Sequence, residues 1–155
     1  MKTGWLVPIR FVLLILALIA FIPDSSPAAQ VGKFTGVEGN VDVTVPGKAA
    51  KRVSVGEPVQ VGDIIRTKSK SKCEVTFLDG NIVRFAENTR LRITEYLVEQ
   101  NQRKEILNLY RGKVRNMVLN ARHSTGFSRN LKYEIHTPTA VCGVRGTDFV
   151  SYHQN

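Results

Sequence analysis

Arg145 is the side chain best placed to do chemistry, held between Val144 and Gly146 and followed by Thr147 and Asp148. A guanidinium offers five N–H donors in a rigid fork that matches a carboxylate or a phosphate, so an arginine on a glycine-bracketed corner can face an anion. The same surroundings serve a structural end. Pairing with Asp148, with Asp63 or with a backbone carbonyl would lock the corner, the glycines being there for positive φ or close backbone approach. The structural role is the expected one. Asp63, directly after Gly62, reads the same way, as a turn residue bonded to its own backbone rather than a ligand for metal or substrate.

Two basic runs alternate at strand spacing, Lys68, Lys70, Lys72 and Arg111, Lys113, Arg115. On strands, each run sets three positive charges about 7 Å apart along one face, and adjoining faces would make a stripe for a polyanion or an acidic protein surface. Outward charge is also how exposed strands resist edge pairing, which is the plainer reading. Aromatic residues do not interleave with these runs as they do in single-strand binders, so nucleic acid is not an expected partner. His123, His136 and His153 come without a nucleophile elbow, a metal-spaced histidine pair or a phosphate-cradling loop. No enzymatic activity, catalytic residue, metal ligand or cofactor is expected, and His136 reads as a corner residue bonded to the backbone. A disulfide between Cys73 and Cys142 would close a loop of about 70 residues and contribute about 4 kcal/mol in an oxidising compartment. The flanking Val141 and Gly143 instead suit Cys142 as a small apolar residue, and no CxxC spacing supports zinc.

The elements that must carry these residues are strands. Short runs rich in Val, Ile, Phe and Tyr alternate with polar residues and are punctuated every 8–12 positions by turn residues, the pattern of an all-β domain. Val37, Val41, Val43 and Val45 share one parity. Val75 and Phe77 lead into the Asp79-Gly80-Asn81 turn, and Val83 and Phe85 follow it, a hairpin signal. Segments 91–98 and 105–110 flank the polar stretch Glu99 to Lys104 as a second hairpin. Leu91 and Ile93 point inward there, with Leu107 and Leu109 as further inward candidates and Arg90, Arg92 and Thr94 in water. Gly112 punctuates entry to a segment 113–119, and 121–131 lacks a period and reads as a loop.

The chain of 155 residues opens with Lys2 and Arg10, then an apolar run from Phe11 to Ile22 closed by Pro23 and Asp24. As a helix that run rises about 18 Å, short of the roughly 30 Å hydrocarbon core. This is the layout of a secretory signal peptide, with Ser26 and Ala28 suited to a cut after Ala28; an uncleaved anchor that recruits Trp5, Leu6 and Val7 is the alternative. Loss of 1–28 takes Lys2, Arg10 and Asp24 with it and leaves 127 residues with 20 Lys and Arg against 12 Asp and Glu, a net +8. That length suits one domain with a real core. The surplus favours anionic partners, solubility being its blander use.

Taken in order, 31–41 (VGKFTGVEGNV), 61–67 (VGDIIRT), 75–80 (VTFLDG), 88–93 (NTRLRI), 109–114 (LYRGKV) and 136–149 (HTPTAVCGVRGTDF) resemble the FecR domain family over residues 31–149. The signature positions Gly62, Asp63, Thr67, Asp79, Gly80, Thr137, Pro138, Thr139, Ala140, Val144, Arg145, Gly146, Thr147 and Phe149 are read as structural. The resemblance implies an extracytoplasmic all-β domain over 29–155, twisted and solenoid-like or sandwich-like, after a signal helix over 1–28. Regulators of this family carry a cytoplasmic sigma-binding segment, one membrane helix and a module that contacts an outer-membrane transporter. Ten residues before the apolar run and six after Phe149 suit neither end of that design, so a stand-alone exported domain is the expectation. It implies a periplasmic or secreted, non-catalytic interaction module in envelope sensing or signal transduction. The expected partner is an envelope protein or an anionic envelope polymer, with membrane contact only through an uncleaved anchor. Binding of peptidoglycan or another envelope polysaccharide is the alternative function.

Overall fold

A computed structural model describes residues 29–99, 102–118, 130–144 and 148–154. The expected signal helix, most of the expected loop at 121–131 and the trio Arg145-Gly146-Thr147 lie outside the described residues. Every helix or strand among the described residues is a strand: β1 (Gln30–Glu38), β2 (Val41–Thr44), β3 (Lys51–Arg52), β4 (Pro58–Gln60), β5 (Ile64–Thr67), β6 (Lys72–Phe77), β7 (Ile82–Phe85), β8 (Arg90–Val98), β9 (Gln102–Met117), β10 (Asn130–His136), β11 (Val141–Val144) and β12 (Asp148–His153).

The alternation in the sequence maps onto burial. Cys73, Val75 and Phe77 of β6 and Val83 and Phe85 of β7 point inward, and the hairpin between them turns at Asp79-Gly80, where the Gly80 amide donates to the Phe77 carbonyl at 3.0 Å. In the β8–β9 hairpin Leu91, Ile93, Leu107 and Leu109 are buried, and Arg90, Arg92 and Thr94 are exposed. Fully burying a side chain of this size contributes about 1.5–3 kcal/mol, so the pattern, once set, is costly to shift by one residue.

β9 organises the sheet. Its first part pairs antiparallel with β8 and parallel with β10, and its last part pairs antiparallel with β7 and β12. One path therefore runs β3-β2-β5-β8-β9-β7-β6-β1-β4, with β10, β11 and β12 joined beside β9. The sheet curls strongly, so that Phe34, Val59, Val75 and Phe85 from one half meet Val41, Ile65, Leu91 and Ile135 from the other in one core.

The expected break at Gly112 is absent, because β9 runs through it. Arg90 pairs with Arg111 and Leu91 with Leu109, leaving Tyr110 as an extra residue opposite no partner. This bulge flips the parity of the strand. Glu105, Leu107 and Leu109 face inward before it, and Val114, Asn116 and Val118 after it. Gly112 follows the bulge at φ 97°, where a Cβ would stand 2.4 Å from Thr89 Oγ1 and 2.5 Å from Thr89 Cα, so only glycine fits.

Candidate functional site

The bulge at Tyr110 has a chemical consequence. It aims two consecutive side chains, Tyr110 and Arg111, at the outer face of the sheet, and the register then lines up arginines from three adjacent strands. Arg66 of β5 stands opposite Arg90 of β8, and Arg90 stands opposite Arg111 of β9. All three are exposed, and the Arg90 guanidinium lies over the Tyr110 ring at 5.5 Å from its centroid. With Lys68, Asn88, Thr67 and Thr89 they line a groove of about 370 Å³.

The floor of this groove is rigid. The Thr67 amide donates to the Thr89 carbonyl at 2.9 Å, the Thr89 amide donates to Thr67 Oγ1 at 2.9 Å, and Thr67 Oγ1 donates to the Ala86 carbonyl at 2.6 Å. Thr89 Oγ1 in turn accepts from the Lys113 amide at 3.1 Å. Both threonines are buried. Their hydroxyls hold the Ala86–Thr89 turn, with Asn88 at φ 53°, against β5 and β9, and so fix where Arg90 begins.

Like charges directly opposite across a strand pair are destabilising, and the carboxylate opposite Arg66 on β2, Asp42, is engaged by Lys68 rather than by the row. Asp42 pairs with Lys68 at 2.9 Å, Glu57 with Lys51, Glu74 with Arg84, Glu95 with Lys104, Glu134 with Lys132 and His136, and Asp148 with Arg115. Glu87, one turn from the groove, accepts from the Lys70 amide at 2.8 Å. Among the described residues Arg66, Arg90, Arg92, Arg111 and Lys113 have no carboxylate at ion-pair distance, and the chain outside them supplies one acidic side chain, Asp24. The opposing pairs lower the acids they touch: hydrogen bonds from Lys51, Arg84 and Arg115 hold Glu57, Glu74 and Asp148 below the ordinary carboxylate range.

The two basic runs of the sequence fare differently. Arg111, Lys113 and Arg115 lie outward on β9 as expected, although Arg115 is engaged by Asp148. Lys68, Lys70 and Lys72 do not share a strand face. Lys68 and Lys70 sit in the β5–β6 turn, Lys70 at φ 52°, and Lys72 opens β6. Spacing does not single out Arg66, Arg90 and Tyr110, since residues twenty or more positions apart meet only through the register.

The signature positions occupy corners. Asp63 is buried, and its carboxylate accepts from the Gln60 amide at 2.9 Å while its own amide donates to the Gln60 carbonyl at 3.3 Å; burial raises its pKa. The Gly62 amide donates to the Ile93 carbonyl at 2.8 Å. Thr137 closes the β10–β11 turn, its amide donating to the Ala140 carbonyl at 2.8 Å and its Oγ1 accepting from the Ala140 amide at 3.0 Å, with Pro138 and Thr139 exposed at the tip. His136 binds the Glu134 carboxylate at 2.9 Å rather than the backbone. Phe149 is half-buried, its ring edge-on to Tyr133 at 5.9 Å. Val144 ends β11, and Arg145, Gly146 and Thr147 lie outside the described residues. Of the acids named as partners for Arg145, Asp148 is bonded by Arg115 and Asp63 accepts from the Gln60 amide through one oxygen. Cys73 is buried and Cys142 exposed, and they are not joined; burial pushes the Cys73 thiol far up.

Asp79 and Gly80 lead to a polar cluster that the sequence did not announce. The Asp79 amide donates to Tyr96 Oη at 3.0 Å, and Asn81 Nδ2 donates both to Asp79 Oδ2 at 2.7 Å and to Glu105 Oε2 at 3.1 Å. The cluster bolts the β6–β7 hairpin onto β8 and β9. Burial first, and the Asp79 charge second, push the Glu105 carboxyl up to about 8.

A family model described as FecR protein matches residues 63–155, which excludes β1 to β4 although the resemblance in the sequence begins at residue 31. No curated protein matches the chain. Among solved structures, a cell surface anchoring domain matches at 21% identity, over 43% of this chain and 88% of that one, with a TM-score of 0.42. The family match spans more than half of the sequence and takes in the groove, the arginine row and the polar cluster, so the chain belongs to the FecR protein family.

Proposed function

We propose that this chain is an exported, non-catalytic binding module of the cell envelope that holds an anionic partner against the outer face of β5, β8 and β9. The observation that carries the reading is the Arg66-Arg90-Arg111 row, set in register across three strands with no carboxylate at ion-pair distance among the described residues. A fold that keeps like charges opposite one another forgoes stability, and strained or repulsive arrangements are characteristic of functional surfaces. The secretory layout of residues 1–28 supports export, and membership of the FecR family supports a place in envelope sensing or signal relay. In the same proposal the domain is a twisted, solenoid-like or sandwich-like sheet.

Crosslinking in intact cells from Lys113, two residues along the outer face of β9 from Arg111, tests it. Capture of an envelope component that disappears at high salt and in Arg90→Glu supports the reading. Capture of a cytoplasmic protein, or capture indifferent to both changes, overturns it.

A further inference from the structure

We infer that the ligand of the groove is a phosphate group, an inference that rests on the anion-binding reading above. Three arginines on adjacent strands about 4.8 Å apart line one concavity of about 370 Å³. Each guanidinium carries five N–H donors. A carboxylate brings one charge and two oxygens whose roughly four lone-pair sites lie in one plane, so it balances one of the three arginines and leaves two charges unmatched. A phosphomonoester carries close to two charges at neutral pH and three terminal oxygens, disposed tetrahedrally, and can accept from several forks at once.

The surroundings suit the same ligand. Arg66, Arg90 and Arg111 bring three charges, and Lys68 stands beside them with its ammonium on Asp42 at 2.9 Å. A dianionic phosphate or a diphosphate balances the three arginines more nearly than a single carboxylate. Tyr110 holds the Arg90 guanidinium over its ring, which presets the middle fork before the ligand arrives and lowers the ordering cost of binding. Asn88, at the rim of the groove in a left-handed turn, adds an amide side chain able to donate.

Titration calorimetry on the full chain tests the inference, with inorganic pyrophosphate and an oligogalacturonate as probes at physiological salt. The expected result is one pyrophosphate per chain, with Arg90→Gln and Arg111→Gln each weakening it about tenfold, the loss of one charge-assisted contact, and Lys48→Gln, in the β2–β3 turn away from the groove, leaving it unchanged. Co-sedimentation with phosphatidylcholine vesicles, with and without phosphatidic acid, tells the source. Retention on phosphatidic acid assigns a lipid headgroup, and pyrophosphate binding without retention assigns a soluble or polymer-borne phosphate. Binding of oligogalacturonate but not pyrophosphate overturns the phosphate inference and leaves the anion-binding module standing. Binding of neither, or binding indifferent to the two arginine variants, overturns both.

Discussion

Glu105 is a carboxylate at a core position, sharing parity with Leu107 and Leu109 and buried as they are. Its folded pKa of about 8 lies above the unfolded value near 4.5, so between those limits the folded protein binds a proton that the unfolded chain has lost. Stability is then greatest below about pH 4.5, falls as pH rises towards 8 and levels off above it; Asp79, also raised by burial, adds to the same trend. The exposed pairs of Glu57, Glu74 and Asp148 act in the opposite sense but contribute little each. Glu105→Gln, which copies the neutral carboxyl, should stabilise the fold at pH 8.5 by roughly a few kcal/mol and flatten its pH dependence. Thermal melts of both proteins between pH 5.5 and 8.5 check this, and a variant less stable than the parent at pH 8.5 would show that Glu105 is charged and paired. The sequence held the signal for Glu105, two residues before Leu107, but an acid on a core parity contradicts the hydrophobic pattern, and only the Asp79 turn docking from another hairpin gives it a partner.

At the scale of the element, alternation was enough to find β6, β7, β8 and the first part of β9, because each has one face that must be buried. Lys68 to Lys72 shows where alternation misleads. The residues between its lysines are Ser69 and Ser71, so a strand there would have no apolar face to bury. The chain turns instead, with the Ser71 hydroxyl accepting from the Asn40 amide at 2.8 Å. The β9 bulge was unreadable for a different reason, since one extra residue is visible only against the partner strand. Its mechanical weight is testable at Gly112. An added methyl meets the Thr89 backbone and is held in the left-handed region, so Gly112→Ala should cost about 2–4 kcal/mol. Urea denaturation checks the loss. A change under about 1 kcal/mol would mean that Thr89 and the turn under the groove can yield, and that the arginine row is not rigidly based.

Across the whole molecule the distribution of charge matters more than its total. The sequence carries a net +9, yet most lysines and arginines of the outer surface either face carboxylates or stand apart. The sheet order β5-β8-β9 brings three cations from distant parts of the chain into one row, which is why composition announced an anionic partner and could not locate it. If the row exists to bind, the free protein bears its repulsion. Arg111 is the member to remove, since the Arg90 guanidinium already lies over Tyr110 and its loss would confound repulsion with that ring contact. Arg111→Thr places a good strand former opposite Arg90 and should stabilise the unliganded fold by about 0.5 kcal/mol at about 10 mM salt. The gain should fade towards 1 M salt, where the screening length falls to about 3 Å. Urea denaturation at the two ionic strengths reads both quantities. A stabilised variant that no longer binds anions has exchanged function for stability, as expected of a surface kept for a ligand. A destabilised variant would instead mean that the Arg111 stem packs on its neighbours and supports the bulge, making the row part of the scaffold.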